Sequence, residues 1–418
     1  VLQGSDGDTW IGFWVETPSV EAAQRAPLDV SLVVDTSGSM SGAKITNARM
    51  AATSFIESLA DGDLVSLYAF SDVVTELAPP TLVTASTRAE LIRRVQSLHA
   101  AGGTNLHDGL EVARRAIEHA PPSHPVRRIV MISDGRATVG DTSPESIAHV
   151  AAQATENGTQ VTAIGVGMDY DENTLGAMAI RSAGRLYHLE EPSQMATILH
   201  RELDLLGQTL AANAVVEFTP VEGVVVEGTE AERVDRQGAV LRIPLGNLHA
   251  SQRRELLLRA RIPTSARGRH TLGTVRLVWQ DPTDATRRRE SDPITLDYEV
   301  TNDAASLEQG RSQRVQAMVI GFEAAQAQLQ ASRLLNEGRA EEAERTLALT
   351  EQQLRQASQR FHFTDEVVQG NLMRQAESIA RGRSAASAVA AMPAPARPSR
   401  ARAAALDNNA EAYRAMGH

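Results

Sequence analysis

The stretch PLDVSLVVDTSGSM, residues 27–40, governs how the rest of the chain is read. Its first part, LDVSLVVD (28–35), has the pattern of a strand buried on both faces. Directly after it, one acid and two hydroxyls, Asp35, Ser37 and Ser39, fall within five residues. Asp, Ser and Gly are the residues of tight turns. Alternating oxygen side chains on one loop are also what a hard cation binds. The stretch alone does not choose between the two, and the flanking sequence has to.

Outward from it, LVSLYAFS (64–71), RIVMISDG (128–135) and QVTAIGVG (160–167) are strands of the same kind. Helical segments lie between them, including GAKITNARMAATSFIESLA and NLHDGLEVARRAIEHA, the second opening on Asn105 as an N-cap. SPESIAHVAAQATENG begins on Ser–Pro and ends on Asn–Gly, which is helix start and stop chemistry. Strands alternating with helices over residues 27–206 predict an α/β fold with a doubly wound, mostly parallel sheet. Binding sites in such sheets form at the carboxyl ends of the strands.

After Leu206 the pattern changes. AVVEFTPVEGVVVEG, AVLRIPLG, RRELLLRARIP, TLGTVRLVWQ and ITLDYEV are short β-rich runs between Gly, Pro and Asp turns, predicting a β-sandwich over 207–302. TWIGFWVE near the start is apolar on both faces, with Trp10 and Trp14 on one and Ile11, Phe13 and Val15 on the other. It has no helix partner of its own, and residues 1–26 are assigned to that sandwich. A helical hairpin or bundle is predicted over 303–382. One stripe runs through Val315, Met318, Phe322, Ala325 and Leu329, and another through Ala343, Leu347, Thr350, Leu354, Ala357 and Phe361. The low-complexity run SAASAVAAMPAPARPSRARAAA leads to the expectation that 383–418 form a disordered tail.

Composition removes several function classes. With 41 basic and 52 acidic residues the net charge is −11, which argues against a general nucleic-acid binder. There is no cysteine, so disulfide scaffolds, thiolate zinc sites and cysteine nucleophiles are excluded. No run reaches the roughly eighteen apolar residues of a membrane span. No signal peptide is legible, and the compartment is unread.

Two further loops bear on the opening question. AAGGTNLHDG places Thr104 after a Gly–Gly at the start of a helix, and VMISDGRA places Asp134 at the end of a strand. Both belong at the same sheet edge as Asp35, so five oxygen donors from three loops converge. Three hydroxyls leave positions for waters, and two carboxylates balance the charge of a Mg²⁺ ion from its first or second shell. The absence of His or Cys from the set favours Mg²⁺, with Mn²⁺ as a replacement, over zinc. Gly38, Gly102, Gly103 and Gly135 let backbone approach the ion closely.

These elements resemble the von Willebrand factor type A family and its metal-ion-dependent adhesion site. Asp35-Thr-Ser37-Gly-Ser39 is similar to the family's Asp-x-Ser-x-Ser, Gly102-Gly103-Thr104-Asn105 to its Thr loop, and Ser133-Asp134-Gly135 to its later Asp. The resemblance covers roughly residues 27–206, under half of the chain. It implies that Ser37, Ser39 and Thr104 ligate directly, while Asp35 and Asp134 act largely through waters. It also implies an open metal position for an Asp or Glu carboxylate of a partner protein. Met40, Ser41, Ser71, Asp72 and Arg136 are then the rim that selects the partner.

No enzyme signature competes with this reading. The serine-hydrolase elbow needs Ser between its glycines, and GSMSG (38–42) has Met40 there. A phosphoaspartyl transferase would want a second Asp where Ser37 stands, and no phosphate loop occurs. His99 and His107 flank the Thr104 loop but read as surface or helix-end residues. Arg287–Glu290 reads as an exposed hairpin, and the arginines at 381, 383, 397, 400 and 402 as a solvated basic stretch. The expectation is a non-enzymatic, metal-dependent protein-interaction module. The alternatives are a metal-dependent hydrolase using the same loops and a scaffold whose sandwich and helices are the main interfaces.

Overall fold

The chain opens with strand β1 (Asp8–Glu16), whose partners come from far along the sequence, and then enters β2 (Leu28–Asp35). A computed structural model describes residues 1–19, 25–229, 232–360 and 366–417. β2 is buried at all eight positions because it lies in the middle of a six-stranded sheet. The other strands are β3 (Leu64–Phe70), β4 (Val74–Leu82), β5 (Val126–Ser133), β6 (Thr159–Val166) and β7 (Arg185–Leu189). Their order is β4-β3-β2-β5-β6-β7, and only β4 runs antiparallel.

Alternation along β2 sends successive side chains to opposite helical layers. Leu32 and Val34 pack with α1 (Ala43–Ser58), α2 (Ala85–Gln96) and α6 (Met195–Gly207) through residues such as Phe55, Leu91 and Leu199. Val33 faces α3 (Leu106–Glu118), α4 (Pro144–Ala154) and α5 (Glu172–Arg181) through Leu110, Ile147 and Leu175. The parallel register sets Asp35 beside Phe70 and Val34 beside Ile132, so β2, β3 and β5 end on one edge.

The second unit is built from β1 together with β8 (Thr209–Pro220), β9 (Val225–Glu227), β10 (Asp235–Gln237), β11 (Val240–His249), β12 (Arg253–Arg261), β13 (Gly268–Asp281), β14 (Asp284–Glu290) and β15 (Ile294–Val300). One sheet has the order β1-β12-β9, and the other β10-β11-β8-β13-β14 with β15 also on β13. β1 pairs with β12 along its full length, from Asp8 opposite Arg261 to Glu16 opposite Arg253. Ile11 and Phe13 enter the core between the sheets, where the rings of Phe13 and Phe218 lie 5.6 Å apart.

The remaining chain forms α7 (Ala304–Gly310), α8 (Gln313–Asn336), α9 (Ala340–Arg360), α10 (Glu366–Ala391) and α11 (Arg397–Ala415). The outer face of β1 is covered by α8. Trp10 meets Phe322 edge-on at 6.1 Å, and Arg314 sits 3.9 Å over the Trp14 ring. Gly12 makes room for the helix, since a Cβ there would lie 3.0 Å from Met318 Sδ and Val315 Cγ2. Ala343, Leu347 and Leu354 of α9 join a core with Leu372, Ile379 and Val389 of α10, while Phe361 of the predicted stripe lies outside the described residues.

The expectation of a disordered tail over 383–418 is wrong for the described residues. Helix α10 continues through Ala391, and α11 buries Ala404, Ala405, Leu406, Ala412 and Tyr413. Alanine is the strongest helix former, and its small side chain lets helices approach closely. A composition that reads as low complexity thus makes well-packed helices. Three of its arginines are engaged within the molecule: Arg383 pairs with Glu351 at 3.3 Å, Arg397 caps the carbonyls of Ala390 and Met392, and Arg402 reaches Glu172. No described helix is long and apolar enough to cross a membrane.

Candidate metal centre

Asp35 ends β2 and Ser133 ends the adjacent β5, so a single sheet edge brings them together. Ser133 Oγ donates to Asp35 Oδ2 at 2.6 Å, and the Ser37 backbone N–H donates to Oδ1 at 2.7 Å. Burial pushes the Asp35 carboxyl above its ordinary range. The hydrogen bonds from Ser133 and Ser37 oppose that rise, and the nearby Asp134 charge adds to it. A carboxylate so placed stays charged most easily with a cation nearby.

Past Asp35 the chain makes a single helical turn, Gly38–Met40. That turn lifts the Ser37 and Ser39 hydroxyls to the same side, 3.0 Å apart. Ser39 Oγ donates to Asp134 Oδ1 at 2.7 Å. The Thr104 loop is lashed alongside: Gly38 N–H donates to the Gly102 carbonyl at 2.9 Å, and Ala101 N–H to the Thr36 carbonyl at 2.7 Å. On its far side, Thr104 N–H donates to Thr138 Oγ1 and Thr138 N–H to the Thr104 carbonyl, both at 2.9 Å. Asn105 caps α3 through its side chain, which holds this loop at the helix start.

Gly135 marks where the three loops meet. A Cβ built there would lie 3.3 Å from Thr104 Oγ1 and 3.6 Å from Ser39 Oγ, so both hydroxyls lie close to this glycine and its missing side chain keeps the space between them open. All five predicted donors, Asp35, Ser37, Ser39, Thr104 and Asp134, belong to this cluster. The donors are hard oxygens, and the described residues contain no group of three or more His, Cys, Asp or Glu suited to a metal. Such a set fits Mg²⁺ or Mn²⁺ rather than zinc. A cation already stands at its margin. Lys44, in the first turn of α1, places its ammonium on Asp134 Oδ2. Sequence reasoning missed Lys44, although a cation in the first turn of a helix, against the helix dipole, is an anomaly that points to a purpose.

The expected rim divides. Met40 is wrongly placed in it: the turn directs its side chain into the core beneath α1, where it is fully buried. Ser41 and Arg136 are exposed, and Ser71 is half-buried with its carbonyl accepting from Asn105 N–H. Asp72 is exposed, but its carboxylate accepts the Gly103 N–H at 2.8 Å and braces the Thr104 loop. Beside it, Val73 is 67% exposed, an apolar knob that sequence reasoning passed over in a turn. His99 and His107 turn to the Ser97 carbonyl and the Asp108 carboxylate, away from any shared acid–base role at the hydroxyls. A separate cleft of about 1270 Å³ lies where β7, β12 and the C-terminal helices face one another, with charges of both signs on its walls.

With this geometry in view, the likeness to known proteins is informative. Residues 29–201 match the family model of the von Willebrand factor type A domain, and this part of the chain is a VWA domain. The chain is similar to the uncharacterized protein sll0103 of Synechocystis, at 26% identity over 287 residues, 66% of this chain and 67% of that one. It is 31% identical over 216 residues to inter-alpha-trypsin inhibitor heavy chain H4 of Homo sapiens. That match covers 50% of this chain and 23% of the relative, so the chain spans about a quarter of that protein's length. A solved von Willebrand factor type A protein from Catenulispora acidiphila overlays with a TM-score of 0.65 at 17% identity, covering 84% of this chain and 88% of that one. That last likeness is one of fold.

Proposed function

We propose that the VWA domain is a protein-binding module whose grip depends on a divalent cation, Mg²⁺ with Mn²⁺ as a replacement, held where the three loops meet. Ser37, Ser39 and Thr104 would contribute hydroxyl oxygens, and Asp35 and Asp134 the negative charge. Once bound, the ion would offer an electrophilic position to a carboxylate oxygen from an Asp or Glu of a partner protein.

The observation that carries the reading is the convergence of Ser39 and Thr104 hydroxyls on the space left by Gly135, with two buried carboxylates behind them. Neutral hydroxyls leave an ion under-neutralised, and an under-neutralised hard cation favours an anionic oxygen as its next ligand. Ser41, Arg136 and Val73, on the loops that carry these donors or adjoin them, are exposed, and in this reading they would contact the residues next to the partner's carboxylate. The similarity to a heavy chain of an inhibitor also favours protein partners over small molecules. In this reading the module holds its ligand and transforms nothing.

Calorimetric titration of the full chain with Mg²⁺ and Mn²⁺, combined with capture of proteins from lysate in Mg²⁺ and in EDTA, tests it. Saturable metal binding and capture lost in EDTA are expected. No metal uptake, or capture indifferent to EDTA, would overturn the reading.

A further inference from the structure

Lys44 is the only lysine in the chain, against forty arginines. Its ammonium contacts Asp134 Oδ2, while the other oxygen of Asp134 accepts the Ser39 hydroxyl at 2.7 Å. The Asp134 carboxylate is fully buried, and 21% of the Lys44 side chain remains exposed, so the lysine has a path to solvent and the carboxylate does not. The tip of the lysine also lies against the end of β6, since a Cβ on Gly167 would sit 3.4 Å from Lys44 Cε and 3.5 Å from Nζ.

Two things make this placement costly unless it serves the site. A cation in the first turn of α1 opposes the helix dipole. And a chain that uses arginine everywhere else keeps, at this one place, a compact ammonium on a flexible stem. The flat guanidinium fork does not reproduce that shape. A compact, mobile, monovalent charge on the buried carboxylate of a cation site is a substitute for the cation.

We infer that Lys44 is a tethered stand-in for the divalent ion, seated on Asp134 when the ion is absent and released from it when the ion is bound. The inference rests on the metal reading above and deepens it. In the metal-free domain the ammonium neutralises Asp134, so the Ser39 and Thr104 loops keep their arrangement without an ion. Entry of a divalent charge beside the same carboxylate repels the ammonium, with little water between to screen it. Intrinsic metal affinity is therefore lower than these oxygens would otherwise give. An incoming partner carboxylate, by adding negative charge at the ion, offsets that repulsion. Metal and partner then bind with positive coupling, and each raises the affinity of the other.

Lys44→Met keeps the length of the stem and deletes its charge. The Mg²⁺ dissociation constant of the full chain, measured by calorimetry, is expected to fall about tenfold or more. Because this variant leaves a buried carboxylate without its cation, a second measurement uses the unaltered protein. Brief labelling with an amine-reactive reagent, read by mass spectrometry, reports Lys44 as the sole lysine. Labelling should rise several-fold in saturating Mg²⁺, with a midpoint at the calorimetric dissociation constant. If the protein binds Mg²⁺ while Lys44 labelling stays flat or falls, the stand-in role is wrong and the metal reading survives. The stand-in role is equally wrong if folded Lys44→Met binds Mg²⁺ no tighter than the unaltered protein. If neither the protein nor the variant takes up Mg²⁺ or Mn²⁺, the metal reading fails and this inference with it.

Discussion

Arg402 of α11 grips Glu172 at the start of α5 with two parallel contacts, Nη1 to Oε1 and Nη2 to Oε2, each 2.7 Å. The same guanidinium donates to the carbonyls of Met168 at 2.8 Å and Tyr170 at 2.6 Å. Burial alone would raise the Glu172 carboxyl, but the hydrogen bond and charge of Arg402 hold it below the usual range. The segment that follows β6, at the same sheet edge as Asp35 and Asp134, is thus fastened from outside the VWA domain by the last helix.

Arg402→Ala should therefore lower stability by about 3 kcal/mol, because it leaves Glu172 buried without its partner. Urea denaturation checks this, and limited proteolysis should show α11 cut earlier than α10. Glu172→Gln, which keeps the shape and removes the charge, should cost less than Arg402→Ala.

Gly176→Ala tests the same docking from the other side. In an exposed helix the change would stabilise by about 1 kcal/mol. Here the new Cβ would fall within 2.6 Å of Tyr413 Cε2, on the ring that α11 buries against α5. Overpacking of this kind costs about 1–3 kcal/mol, so the sign should reverse and the thermal midpoint should drop.

Thr104→Ala removes a hydroxyl from the space at Gly135 and leaves the backbone bonds to Thr138 in place. Ligand present at about a hundred times its dissociation constant stabilises a fold by about 2.7 kcal/mol. Scanning calorimetry should show a rise in midpoint with Mg²⁺ for the unaltered protein and none for Thr104→Ala. Circular dichroism without metal should be the same for both.

Asp29 carries a pH prediction. It is 1% exposed, neither carboxylate oxygen has a hydrogen-bond partner among the described residues, and burial lifts its pKa to about 7, with Arg127 opposing. The folded state holds this proton over a range where the unfolded chain has lost it. Stability therefore falls as pH rises from about 4 to about 7, and the loss is complete above that. A shift of this size corresponds to an upper bound of about 4 kcal/mol. Asp29→Asn should raise the urea midpoint at pH 8 and leave it nearly unchanged at pH 4.

Much of this was legible because strand ends and oxygen side chains are adjacent in sequence. Asp35, Ser133 and Asp134 each end or follow an apolar run, and a parallel sheet aligns such ends. Lys44 was not legible in that way, since only the packing of α1 on the sheet brings it to Asp134. Met40 was misread because a one-turn helix brings every third residue to the same side, so Met40 is buried like Ser37 while Gly38 and Ser39 stay exposed, which a loop reading does not anticipate. β4 escaped notice because Pro79 and Pro80 argue against a strand, yet at the antiparallel edge of a sheet proline is tolerated. The tail was misjudged on composition, which counts alanine but not the helices it meets.

The pairing of β1 with β12 joins residues 237 to 253 positions apart. On a ribosome, β1 emerges before the VWA domain and finds its neighbour only after the whole of that domain has been made. Closing so long a loop is slow, and folding of the VWA domain shortens it by bringing Arg25 beside Gly207, where an added Cβ would lie 3.5 Å from Arg25 Nε. Until then Trp10, Phe13 and Trp14 stand on an uncovered strand. Strand β1 is accordingly a segment that a nascent-chain chaperone would have to shield.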